Sequence, residues 1–395
     1  MEISALAIYR PTWADERGRR QVGPDEDVAT LAVSAGRLLG DQLRDVERVV
    51  LVTRRPDALL GTTPEVVLEG LGLDPATPLV ERLGGAPATV DALLSSSAGT
   101  LVLAVDPRAP AAAAAALLGP GPLTVMRSGE LRHSIPVRTL PLPGADDLVY
   151  DDPRLLRERG WKRVVRELGV EPGNRPVAVA GISAGDAAKL APGALQGVLE
   201  TEATSALLVL AGLARAQQDA RLIAVENGHG VAADVRVSGD VPVVTQERRP
   251  LVSPATWAPS VPADIPASLA AYERAFEAKV GLKAGVCSCG EKHHPPRARC
   301  QSCGAQDSQH LEILPREATI YSVVTVRAGV PGMTVPYSLA VVDLEGTGLR
   351  LLAHVTDDQP GSTSIGAPGQ MVLRRVAVRA GVPDYGYAFQ PEEKQ

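Results

Sequence analysis

The chain has 395 residues, 45% of them apolar and 22% charged, with a formal net charge of −6. This length exceeds the roughly 250–300 residues that one hydrophobic core usually reaches, so two or three domains are expected. The acidic balance argues against a nucleic-acid partner, and the absence of any run of about 18 apolar residues argues against a membrane-spanning helix.

The N-terminus (MEISALAIYRPTW) has no basic region followed by an apolar stretch. No signal peptide is therefore expected, and the expected compartment is the cytoplasm. Residues 2–8 and 46–53 run or alternate apolar like strands. Between them, 27–43 carries apolar residues at helical spacing, with Asp25 as the candidate N-cap and Asp27 at the helix start. A second helix is expected over 63–71, with Pro64 in its first turn, and a short one over 89–95. TLVLAVD (100–106) reads as a buried strand, and the alanine-rich 109–118 as a helix or packed segment.

The second half repeats this rhythm. A helix is expected over 152–168, a strand at PVAVA (176–180), and helices from 185–190 and 201–217. RLIAVE (221–226), the glycine turn NGHG and 231–238 read as a hairpin. Two α/β halves of unequal length suggest an internal duplication, packed in three or five layers. Residues 1–250 form this first domain, and the Pro-rich 251–266 reads as a linker.

All four cysteines fall between 287 and 303, in GVCSCGEKHHPPRARCQSCGAQD. In a cytosolic-looking chain such clustering points to a metal rather than to disulfides. Thiolates at short spacing suit tetrahedral zinc, so Cys287, Cys289, Cys300 and Cys303 are the candidate ligands. Cys300-Gln-Ser-Cys303-Gly304 has knuckle spacing, while Cys287-Ser-Cys289-Gly290 is one residue short. His293 or His294 is the alternative for one thiolate. A closed four-ligand site leaves no position for substrate, so the zinc is expected to be structural. Helix and ribbon occupy 267–318. Four strands then follow, at 319–327, 336–343, 349–355 and 371–379, separated by Gly/Pro turns. They suggest a small OB-type barrel over 319–395. Nucleic-acid binding by such a barrel would need a basic groove and aromatic platforms, and both are sparse here.

From residue 267 onward, the leading helix ASLAAYERAFEAKVGL, the CSCG…PPRARCQSCG ribbon, the strands TIYSVVTVR, PYSLAVVDL and GLRLLAHV, and the closing GYAFQP resemble the DUF35 family, a zinc ribbon fused to an OB barrel. The resemblance implies association with thiolase-like proteins and a role around acyl-CoA. The first 250 residues resemble the thiolase superfamily, nearest to hydroxymethylglutaryl-CoA synthase and ketoacyl synthase III types. That likeness rests on PDEDVATLAVSAGRLL, TLVLAVD and the segment from GALQGVLE through NGHGVAADVRV. The implied fold is an α/β thiolase-like duplicated fold, plus the C-terminal zinc ribbon and small OB-type barrel.

The departures from that family matter most. It uses a nucleophilic cysteine, because a thiolate attacks thioesters readily. Here Gly85 or Ala86, in LGGAPATVDALL, falls at that position. GISAGD, around Gly181, stands where the resemblance implies a histidine, and Thr201 near the implied asparagine. The resemblance thus implies a non-catalytic subunit that pairs with an active thiolase-fold acyltransferase or aldolase, or with itself, and helps to bind acyl-CoA or acyl-carrier substrate. Arg297, Arg299 and His229 are the candidate contacts to coenzyme A. The alternative is cysteine-independent chemistry such as retro-aldol cleavage, with Glu200, Glu202, Asp91 or Asp186 as base.

Overall fold

The computed structural model describes residues 1–56, 64–135, 153–169, 176–190, 202–252, 268–306, 309–328 and 335–393. The first half comprises β1 (Glu2–Arg10), β2 (Trp13–Ala14), α1 (Val28–Arg37), a 3-10 turn (Gly40–Asp45), β3 (Arg48–Thr53), α2 (Pro64–Leu71), β4 (Leu79–Leu83), α3 (Ala86–Ser95), β5 (Thr100–Asp106) and β6 (Ala112–Leu118). Helix α1 is capped by Asp27 and not by Asp25. The Asp27 carboxylate accepts from the Thr30 amide at 3.0 Å, and the Thr30 hydroxyl accepts from the Asp27 amide at 2.8 Å. This reciprocal box satisfies two of the unpaired donors at the helix start.

The second half comprises β7 (Leu123–Arg132), α4 (Pro153–Glu158), α5 (Trp161–Glu167), β8 (Val177–Ala180), α6 (Ala184–Leu190), α7 (Ser205–Ala216), β9 (Ala220–Glu226) and β10 (His229–Val237). The helix expected over 152–168 is two helices, because Gly160 interrupts the first and caps the second.

One ten-stranded sheet contains the duplication. Its path is β4-β3-β5-β6-β1 and then β7-β10-β9-β8. In the first half β6 runs antiparallel to β5 and β1, whereas β3, β4 and β5 are parallel. In the second half β10 runs antiparallel to β9 and β7, whereas β8 and β9 are parallel. So β10 corresponds to β6, β9 to β5, β8 to β3 and β7 to β1. No counterpart of β4 is found in the second half among the described residues. The halves meet where β1 pairs with β7, at Glu2↔Thr124 and Ile3↔Leu123. Helices α3 and α7 pack on each other and on strands of both halves. With α1 and α2 outside one half and α5 and α6 outside the other, the body has five layers.

Of the helix or packed segment expected over 109–118, the structure has a buried strand, β6, and not a helix. Ala112–Ala116 are fully buried, with Ala113 and Ala115 on one face and Ala114 and Ala116 on the other. Alanine favours helices in isolation, but here β5 and β1 flank the strand, and α1 and α7 press on its two faces. Small side chains allow that close approach, and tertiary packing overrides propensity.

The remaining elements are β11 (Val243–Glu247), β12 (Leu251–Val252), α8 (Leu269–Val280), β13 (Lys283–Cys287), β14 (Lys292–His293), β15 (Gln309–Ile313), β16 (Glu317–Val326), β17 (Tyr337–Leu344), β18 (Arg350–Val355), β19 (Pro368–Arg379) and β20 (Val382–Pro391). β11 lies parallel to β1, and β12 pairs with β2. Most of the Pro-rich stretch lies outside the described residues. β13, β14 and β15 form the ribbon sheet. β16-β17-β18-β20-β19 close into a barrel, and β20 is the strand that the sequence reading did not separate.

The barrel is packed on the α/β body. Leu31 and Val33 of α1 share one core with Ile320, Leu373 and Phe389 of the barrel. Arg374 of β19 is buried at this junction. Its guanidinium donates to Asp357 at 2.7 Å and to the Tyr9 hydroxyl at 3.1 Å, and lies 3.4 Å from Glu26. Tyr9 donates to Glu26 at 2.6 Å, and Tyr385 donates to Asp27 at 2.9 Å. Among the described residues, no helix is long and apolar enough to cross a membrane.

Candidate metal centre and degenerate pocket

The ribbon brings the four cysteines together from two turns. β13 ends at Cys287, and antiparallel pairing of β13 with β14 and β15 sets the sheet on which both turns sit. Gly290 and Gly304, at φ +90° and +75°, close the turns in the left-handed region that glycine adopts without strain. The Gly290 amide donates to the Cys287 carbonyl at 2.8 Å and the Gly304 amide to the Cys300 carbonyl at 3.1 Å.

The donor set fits zinc. All four Sγ atoms lie within 4.8 Å of one another, with Cys287–Cys303 at 3.6 Å and Cys289–Cys300 at 3.7 Å. Four thiolates about 2.3 Å from a tetrahedral ion are about 3.8 Å apart. The short C-x-C turn therefore reaches the same centre as the C-x-x-C turn. Neither histidine is needed as a ligand. His293 is buried, with Nε2 3.5 Å from Cys300 Sγ. That contact is the main cause holding the Cys300 thiol below its usual range, helped by the Cys303 and Ser302 amides. A ring nitrogen bonded to a ligating sulfur orients the ligand and tunes its charge. His294 Nδ1 donates to the Lys283 carbonyl at 3.0 Å instead. With four protein ligands and no open position, the centre suits a structural ion.

Of the positions where the resemblance implied catalytic residues, Gly85, Ala86 and Gly181 meet at the start of α3. Gly85 is its N-cap and Ala86 its first residue. The Gly85 amide donates to Glu226 Oε2 at 2.6 Å, from the end of β9. Glu226 pairs with Arg54 at 2.6 Å, and Arg54 pairs with Glu202 at 3.0 Å. A carboxylate is favourable at this positive helix end. Gly85, one of the two positions where the resemblance implied a nucleophile, thus presents an amide capped by an ion-paired glutamate, and the other is Ala86. A Cβ at Gly85 would lie 3.1 Å from Glu226 Oε2 and 3.4 Å from Arg54. Gly181, at φ +92°, lies against both β9 and Ala86. A Cβ there would come 2.0 Å from the Val225 carbonyl oxygen, so no larger residue fits. Thr201 and Glu200 lie outside the described residues.

Sequence reasoning missed Glu226, Arg54 and Asp106. Asp106 and Glu226 end β5 and β9, Arg54 directly follows β3, and only the topology aims all three at the helix starts. Asp106 accepts from the amides of Glu202, Ala203 and Thr204 at 2.9–3.0 Å, which anchors the start of α7. Burial pushes its pKa up, against the hydrogen bonds from Thr204 and Ala203. The candidate bases are engaged elsewhere. Asp91 lies between Arg82 and Arg127, at 2.7 and 2.5 Å. Burial would raise its pKa, but the two arginines outweigh it and hold the carboxyl low. Asp186 accepts from Ser183 at 3.0 Å.

The candidate coenzyme A contacts are not gathered at one place. His229 Nε2 faces Glu130 at 3.3 Å, and burial, then Arg132, holds its pKa below the usual value. Arg299 donates to the Gly304 carbonyl at 3.2 Å, within the second cysteine turn. Arg297 is exposed on the same ribbon.

Residues 312–374 match the family model described as the C-terminal OB-fold domain of ChsH2. Among solved structures, the chain is similar to an Ltp2-ChsH2(DUF35) aldolase chain, at 25% identity over 30% of this chain and 90% of that one, with a TM-score of 0.25. It is similar to PksG, an HMG-CoA synthase from Bacillus subtilis, at 14% identity over 60% and 79%, with a TM-score of 0.46. It is also similar to a β-ketoacyl-[acyl carrier protein] synthase III from Thermus thermophilus, at 19% identity over 61% and 100%, with a TM-score of 0.42. No curated protein matches the chain. The C-terminal barrel is of the DUF35 OB type, as the sequence implied. The duplicated strand order and five layers of this chain give the α/β body its thiolase-like fold.

Proposed function

We propose that this chain is a non-catalytic thiolase-like subunit with a built-in DUF35 module. It pairs with a catalytically competent thiolase-fold acyltransferase or aldolase and helps to hold that partner's acyl-CoA or acyl-carrier substrate. The observation that carries this reading is the start of α3. Acyl transfer through a covalent intermediate needs a nucleophile there. This chain has Gly85 and Ala86, neither of which can attack a thioester, with Glu226 and Arg54 packed over Gly85. Among the described residues, Asp91, Glu202 and Glu226 are ion-paired, Asp106 is bonded to backbone amides and Asp186 to Ser183, which disfavours each as a free base for the alternative retro-aldol chemistry.

The sheet supports pairing with another subunit. β4 is hydrogen-bonded only to β3 among the described strands, and Leu83 and Val80 on it are exposed. An open edge with apolar side chains is a template for a partner strand. The structural zinc and the barrel, packed on α1, would then sit as a fixed module on the pair. The reading is tested by mixing the chain with an active thiolase-fold subunit encoded alongside it. A stable complex is expected, abolished by Val80→Glu with Leu83→Glu. A chain that stays monomeric with every such subunit would overturn the partnership.

A further inference from the structure

The barrel is held closed unevenly. β18 and β20 pair at Val355↔Phe389 alone, so Arg350–Ala353 diverge from Asp384–Tyr387. Helix α8 and the His294–Pro295 edge of the ribbon cover that gap, leaving a cavity of about 430 Å³. This volume falls within the roughly 300–1,000 Å³ of small-molecule sites. The space exists because small residues face it: Ala278, Ala353, Ala377 and Gly386. Gly386 is not demanded by packing. A Cβ there would meet Val376 at 3.6 Å and Lys279 at 3.7 Å, both ordinary contacts, and its φ is not positive.

The lining is divided by chemistry. Leu282, Leu351 and Met371 supply an apolar floor. At the rim, Lys279 and Arg379 share the single carboxylate of Asp384, with Arg379 at 3.6 Å, which leaves one positive charge in excess. His354 also lines the cavity. It touches the Tyr337 ring, at 5.0 Å between centroids, and has no hydrogen-bond partner among the described residues. The ring is half-buried, so its nitrogens stay open to the cavity and can meet a ligand's head group. His294, whose Nδ1 donates to the Lys283 carbonyl, also lines the cavity.

We propose that this cavity binds an elongated amphipathic anion: an aliphatic chain ended by a carboxylate or phosphate. The chain lies on the Leu282–Met371 floor, and the head meets Arg379, Lys279 and His354. The site is separate from the start of α3 and independent of whether the chain works as a partner subunit.

Isothermal titration of the full, zinc-loaded chain tests this, with octanoate and octyl phosphate as probes and octanol and inorganic phosphate as controls. Saturable binding of one anionic probe per chain is expected, at least about tenfold tighter than either control. Arg379→Gln should weaken it by about tenfold or more, and Gly386→Val should abolish it. Should Gly386→Val fail to fold, Gly386→Ala fits without clash and should still weaken binding. No saturable binding of either anion at millimolar concentration would overturn the proposal. So would octanol binding as tightly as octanoate, or binding unaffected by both the Arg379 and Gly386 changes. Which anion binds more tightly tells a carboxylate ligand from a phosphate one.

Discussion

Arg374→Met offers the sharpest test of how the barrel is joined to the α/β body. The arginine is 1% exposed and faces Asp357 at 2.7 Å, Glu26 at 3.4 Å and Asp25 at 4.0 Å. Removing the cation leaves buried carboxylates without compensation, which costs about 3–5 kcal/mol. Methionine fills much the same space, so little of the loss is packing. The penalty should depend on pH. Burial, opposed by Arg374, pushes the Glu26 carboxyl from its ordinary 4.5 up to about 7. Its folded pKa is thus above its unfolded one, and between these values the folded chain holds a proton that the unfolded chain has lost. The stability from this proton is full below about pH 4.5 and is lost as pH rises through about 7, on the order of 3 kcal/mol in all. Without Arg374 the pull that lowers the Glu26 pKa is gone, so the carboxyl stays protonated to higher pH. The variant should therefore lose about 3–5 kcal/mol at pH 9 and clearly less at pH 6. Urea midpoints at the two pH values, together with hydrogen exchange of barrel amides, measure this. A loss under about 1 kcal/mol at pH 9, or one that grows toward pH 6, would refute the reasoning.

The purified chain should contain one zinc ion, and Cys300→Ser should lose it together with the fold of the ribbon. His293→Ala should keep the metal but bind it about 10–100-fold more weakly in a competition assay with a chromogenic chelator. Glu226→Ala removes the cap on α3 and the partner of Arg54. It should lower stability by about 1–3 kcal/mol and add no thioester cleavage. Glu26→Gln should flatten the decline in stability between about pH 4.5 and 7, read as the slope of the urea midpoint against pH.

Much of the fold was legible because hydrophobic periodicity reports burial directly. TLVLAVD, RLIAVE and the NGHG turn stand where their pattern put them. The cysteine cluster was legible because ligand chemistry is local. Four cysteines in one short window must lie close together, whatever the rest of the chain does. Ala112–Leu118 misled because alanine carries helix propensity but no face, and only the sheet neighbours decide its conformation. The fifth barrel strand escaped because Pro383, Asp384 and Gly386 break its alternation. Arg374 gave no sign of its role. Its partners lie on β1, in the loop before α1 and just beyond β18, so long-range docking alone makes it buried. Glu226 was hidden in the same way. A glutamate ending a strand beside a glycine turn reads as solvated until β9 is placed against α3.

The most direct test of the central claim is free-thiol release, with product analysis, from a panel of acyl-CoA and β-hydroxyacyl-CoA thioesters by the purified chain alone. The account predicts no turnover above a heat-inactivated control, and turnover only once a thiolase-fold partner is added. Sustained cleavage by the chain alone would contradict it, and loss of that cleavage in Glu226→Gln would place the chemistry at the carboxylate that caps α3.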